Sequence, residues 1–140
     1  MPENSRVDMY LSYEMVEHLH NPALFFYHLA KADKGDYMVI TVPYVTQSRV
    51  ALYNSMNGAK HITAEQEHIF ELSPRDWKKL ILHAGWRTLE ERIYFQYPQG
   101  IPGMSYILRK LWKRFDYEGF IGFILKRDMS VANEYLDWEN

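Results

Sequence analysis

The sequence predicts an α/β domain, and three observations carry that reading. Residues 37–42, Tyr-Met-Val-Ile-Thr-Val, form an almost wholly apolar run stopped by Pro43, the pattern of a strand buried in the middle of a sheet. Asn21-Pro22 and Ser73-Pro74 each place a capping side chain before a proline, which marks two helix starts. A first apolar run at 7–13 precedes the Asn21-Pro22 helix, so a strand, helix, strand unit is complete by residue 43, and two strands joined by a helix run parallel.

Composition sets the outer bounds. The chain has 140 residues, 47% hydrophobic and 16% aromatic, with a formal net charge of -2 and no cysteine. A chain of this size can bury a core of its own without staples. The missing cysteines exclude disulfide frameworks, thiol nucleophiles and Cys-ligated zinc or iron–sulfur sites. Near-neutral charge argues against a general nucleic-acid binder, so no nucleic acid is expected as a partner. The first residues, Met-Pro-Glu-Asn-Ser-Arg-Val-Asp, have neither the basic nor the apolar region of a signal peptide. No apolar run is long enough to span a bilayer, and the expected location is cytoplasmic.

Taken in order, residues 7–13 mix β-favouring apolar residues into a strand expected to be buried on both faces. Residues 15–20 suit one helical turn. The helix from Asn21-Pro22 repeats Ala23, Leu24, Phe26, Tyr27 and Ala30 at helical spacing and stops at Lys34-Gly35-Asp36. After the second strand, residues 45–70 are polar and longer than ordinary connections, which suggests an active-site loop or lid. Ser73 caps a helix whose apolar face is Trp77, Leu80, Ile81 and Ala84, and Gly85 ends it.

Residues 88–97 alternate as a strand. Residues 104–115 carry Ile107, Leu108, Leu111, Trp112 and Phe115 on one helical stripe, with Arg109, Lys110, Lys113 and Arg114 opposite. Residues 119–127 return as a last strand. Phe25, Phe26, Tyr37, Trp77 and Trp86 are expected in the core, and Tyr13, Tyr44 and Tyr53 in a pocket. The expected organisation is one domain over 1–128 with a loosely held acidic tail over 129–140.

Ligands of parallel α/β sheets gather beyond the carboxyl ends of the strands, here Ser12–Glu14 and Pro43–Tyr44. Glu14 and Glu17 stand one helical turn apart with His18 beside them, a spacing that lets two carboxylates and an imidazole converge on a divalent cation if the segment is helical. The blander role of such a phrase is helix-start electrostatics. His18 or His68 suits a general base. His20, His28, His61 and His83 receive no role.

The phrase from Val7 to Leu19, with Asp8, Ser12, Glu14 and Glu17-His18-Leu19, followed by Asn21-Pro22, Lys34-Gly35 and Val42-Pro43, resembles the fourth strand, following helix and fifth strand of Rossmann-like S-adenosylmethionine-dependent methyltransferases. His68 to Trp77 and the Leu82-His83-Ala84-Gly85-Trp86 helix end extend the resemblance, which covers about residues 3–127. It implies a partial Rossmann-like methyltransferase sheet, strands four to seven with the last antiparallel, flanked by helices. The family's glycine-rich cofactor turn and the acidic residue that holds the ribose have no counterpart here, and no Gly-x-Gly-x-Gly follows a strand.

The resemblance implies S-adenosylmethionine as cofactor and a small-molecule methyl acceptor. It assigns Ser12 and Tyr13 to the cofactor, Glu14 and His18 to catalysis, and Pro43, Tyr44 and His68 to the substrate. No metal is assigned, although in RNA-modifying relatives His68 matches a further ligand position beside Glu14, Glu17 and His18. Loss of the family's first strand would leave residues 7–13 as an open edge. That edge would pair with a companion chain or a second copy. The competing class is a non-catalytic module that binds a partner through the same edge.

Overall fold

The computed structural model describes residues 6–50, 68–94 and 119–135. Four strands form the main sheet: β1 (Met9–Tyr13), β2 (Tyr37–Pro43), β5 (Trp86–Tyr94) and β6 (Phe120–Arg127), in the order β1-β2-β6-β5. β1 lies parallel to β2 with Leu11 opposite Val39, while β6 runs antiparallel to both β2 and β5. Between β2 and β5 come a two-residue hairpin, β3 (Arg49–Val50) with β4 (Phe70–Glu71), and helix α2 (Pro74–His83); α1 (Pro22–Lys31) joins β1 to β2.

The helices start where their caps require. Asn21 accepts from the amide of Leu24 at 3.0 Å, Ser73 accepts from that of Asp76, and each cap precedes a proline, so in each helix one first-turn N–H is capped and another is absent from the proline ring. Gly85 ends α2 at φ 92°, and a Cβ there would stand 2.6 Å from the Met129 sulfur and 2.9 Å from Ala30. Only glycine meets both demands.

Both helices cover one face of the sheet. Phe26 and Ala30 of α1 and Trp77 and Ile81 of α2 pack with Met38, Ile40 and Val42 of β2 and Ile121, Phe123 and Leu125 of β6. Trp86 is buried among them, and its indole N–H donates to the carbonyl of Phe26 at 2.8 Å, which satisfies a polar atom the core would otherwise strand.

The other face differs from expectation. Residues 7–13 are not buried on both sides: Met9, Leu11 and Tyr13 are exposed, Leu11 at 60%, and so is Tyr37, which therefore leaves the expected core. Side chains alternate along a strand, and among the described residues no element lies over this face. β1 is an edge strand, paired only with β2 among the described residues. β5 starts at Trp86, two residues before the expected start, where Trp86 pairs with Arg127; a register shift follows between Thr88 and Glu90.

Two further expectations are modified. Near its two ends the stretch 45–70 enters a short strand pair, Arg49 opposite Glu71 and Val50 opposite Phe70. The segment expected as a loose tail begins as a packed turn, with Ala132 buried, Met129 against the core and the Tyr135 hydroxyl bonded to His83. The 104–115 helix, Tyr53 and His61 lie outside the described residues.

Candidate functional site

The carboxyl end of β1 is where the chain turns off the sheet. Glu14 has φ 47°, a left-handed conformation rare for a residue with a Cβ. Its amide donates to the Thr41 carbonyl at 3.1 Å, and its Oε1 accepts from the Thr41 hydroxyl at 2.6 Å. The neighbouring strand thus holds both ends of this residue. Burial pushes the Glu14 carboxyl above its ordinary range, while the Thr41 hydroxyl and, more weakly, His68 and His18 pull it back.

Beyond Glu14 the chain makes a single 3-10 turn, Val16–His18, in the place expected for a helical turn. That turn drives Glu17 inward until it is fully buried, and neither carboxylate oxygen has a hydrogen-bond partner. His18 Nε2 is 3.8 Å from Glu17 Oε1, too far for a hydrogen bond. Burial raises the Glu17 carboxyl and Glu14 adds to the rise, while His18 and His68 oppose it. A buried carboxylate without partners either stays protonated or calls for a cation.

His68 arrives from the far end of the 45–70 stretch. Its ring stands edge-on to His18 with centroids 4.8 Å apart, and the next amide, Ile69, donates to the Glu17 carbonyl at 2.9 Å. Among the described residues, Glu17, His18 and His68 bring donor atoms within 4.8 Å of one another. One carboxylate and two imidazoles form a donor set suited to borderline divalent ions such as zinc or cobalt. Glu14, bound to Thr41, stands outside that trio.

His68 is itself held. Its Nδ1 lies 2.9 Å from Glu71 Oε1, and the other Glu71 oxygen accepts from Arg49 Nε across the hairpin. Thr41, Glu71 and Arg49 carry no role in the sequence reading. The spacing of His68 and Glu71 is a visible local signal; the 22 residues separating Arg49 from Glu71 leave none.

The remaining site residues do not converge. Ser12 and Tyr13 point to opposite faces: the Ser12 hydroxyl is buried and unpartnered on the helix side, whereas Tyr13 lines a cavity of about 370 Å³ on the open face with Thr41, Tyr94 and Gly122. Pro43 is buried against Phe120, and the Tyr44 amide donates to the Gly119 carbonyl at 2.8 Å. Tyr44 is partly buried against the core.

No protein-family model and no curated protein matches the sequence. Solved structures do match. A methyltransferase from Haloferax volcanii, determined in complex with a methyltransferase activator protein, is 15% identical with a TM-score of 0.57 over 91% of this chain and 57% of its own. An S-adenosylmethionine-dependent methyltransferase from Mesorhizobium loti gives 10% and 0.52 over 88% of this chain and 62% of its own. The phosphoethanolamine N-methyltransferase 2 of Haemonchus contortus, with S-adenosylmethionine, gives 12% and 0.51 over 91% of this chain and 34% of its own.

At these identities the likeness is one of fold: the chain has part of the fold of S-adenosylmethionine-dependent methyltransferases, spanning 34 to 62% of the length of those three proteins. The described residues fit that cofactor along one flank only. β1 and β2 end side by side, but the described glycines at 35, 85, 119 and 122 precede or interrupt strands, and none opens the backbone just after one, where a ligand's close approach would need it.

Proposed function

We propose that this chain supplies the strand-four-to-seven part of an S-adenosylmethionine-dependent methyltransferase acting on a small-molecule acceptor. The rest of the cofactor site comes from residues outside these 140 that pack along β1, a companion chain or a second copy among the sources. The observation that supports this most is β1 itself, a parallel strand at the sheet edge whose outer side chains are apolar and exposed. A methyltransferase of similar fold was determined with an activator chain, which makes a companion reasonable.

The cofactor's part in such a reaction is to present an electrophilic methyl group on a sulfonium. In this reading Tyr13 borders the cofactor from the open face and Ser12 borders it through its main chain. Glu14 or His18 accepts the acceptor's proton, and Pro43, Tyr44 and His68 border the acceptor. The work of the protein is alignment. Calorimetric titration of the purified chain with S-adenosylhomocysteine tests it. Saturable micromolar binding supports a surviving site; no heat from the chain alone or with any β1-pairing chain favours a non-catalytic module.

A second reading rests on Glu17. Its two unpartnered oxygens, fully buried beside two imidazoles, favour a divalent cation held by Glu17, His18 and His68. Binding of cobalt(II) to the native chain, and its loss in Glu17→Gln, is the result expected.

A further inference from the structure

The β3–β4 hairpin is only two residues wide on each side, yet it places one carboxylate against an imidazole of the candidate cation site. We infer that Glu71, held by Arg49, is the positioning residue that fixes the His68 imidazole as a cation ligand. This rests on the cation reading above and adds to it the device that orients one of the three ligands.

An ionised carboxylate can only accept, so the 2.9 Å contact between Glu71 Oε1 and His68 Nδ1 puts the proton on Nδ1. The neutral ring then carries its lone pair on Nε2, the atom left to coordinate. The geometry is restrained from both sides. His68 and Glu71 side chains are 13% and 10% exposed, and Arg49 sits directly opposite Glu71 in the hairpin register while its Nε donates to the second Glu71 oxygen. Glu71 therefore cannot turn away from His68 without breaking an ion pair.

Downstream, the Ile69 amide bonds to the Glu17 carbonyl at 2.9 Å, so the residue that follows His68 is tied to the turn that carries the other two ligands. A carboxylate on the far nitrogen of a coordinating histidine fixes its tautomer and raises its basicity, and loss of such a partner commonly costs about 10–100-fold in metal affinity.

The test uses the full chain. In chelator-treated protein, nitrogen-15 NMR of the imidazoles reads the His68 tautomer; cobalt(II) titration followed by visible absorption reads the site. The native chain is expected to show the Nδ1–H form. Glu71→Leu is expected to move His68 toward the Nε2–H form that neutral imidazoles favour in water, and to weaken cobalt binding by about 10–100-fold. Glu71→Gln keeps a neutral acceptor for Nδ1–H, so it should retain the tautomer and lose less affinity than Glu71→Leu, and it reports even if the leucine variant fails to fold. Native-like cobalt affinity in both variants overturns the positioning role and leaves the cation reading intact. No cobalt binding by the native chain overturns the cation reading and this inference together.

Discussion

The amide of Ile69 donates to the carbonyl of Glu17 at 2.9 Å, across 52 positions of sequence, and so joins the end of a long polar connection to the turn that follows β1. Both residues are buried. Ile69→Pro removes the donor and leaves a buried carbonyl short of a partner, a loss of about 1–3 kcal/mol. Chemical denaturation should show that loss, and in the native chain hydrogen exchange should find the Ile69 amide as slow as those of β2.

Glu17 sets a pH dependence whose sign follows from its raised carboxyl. Below the unfolded-state value near 4.5 the side chain is protonated in both states and carries no penalty. As pH rises through that value the unfolded chain ionises first, and stability falls until the folded carboxyl ionises too, by about 1.4 kcal/mol for each unit separating the two values. In chelator-treated protein, Glu17→Gln should flatten this decline. Thermal melts of both proteins between pH 4 and neutrality should converge at the acid end.

Thr41 holds the Glu14 carboxylate, and its hydroxyl is the largest influence lowering that group. Thr41→Val removes the donor at nearly constant volume, so burial acts with less opposition and the Glu14 carboxyl should titrate higher than in the native chain. Carbon-13 NMR of the glutamate side chains reads this directly; an unmoved Glu14 would show that the hydroxyl is not its restraint.

Trp86 is the polar fastening of the core, its indole N–H on the Phe26 carbonyl. Trp86→Phe keeps an aromatic ring but forfeits that bond and part of the filled volume, for a combined loss of about 2–4 kcal/mol. Urea titration should show a lower midpoint with an unaltered slope.

Local chemistry made the frame readable. Asn21-Pro22 and Ser73-Pro74 cap helices through partners three residues away, and the apolar run 37–42 lies in the strand between β1 and β6. What the sequence hid depends on what lies alongside. Residues 7–13 and Tyr37 read as buried because apolar composition does not say whether a second layer is present, yet Met9, Leu11, Tyr13 and Tyr37 are exposed. At the site, Glu14, Glu17 and His18 share a short phrase and were visible together. The inward turn of Glu17 and the clamp of Arg49 on Glu71 are tertiary facts, set by a 3-10 turn and a hairpin closing over 22 positions.

The rim of β1, bare among the described residues, bears on how a chain that left it uncovered would fare in a cell. Its five residues, Met-Tyr-Leu-Ser-Tyr, include no charge and no proline, the usual guards against unwanted strand addition. Left uncovered, newly made copies would pair with one another or be taken by chaperones and proteases. Steady-state abundance would then follow the supply of whatever covers that strand more closely than the rate of synthesis, and stoichiometry would be enforced by degradation of the excess.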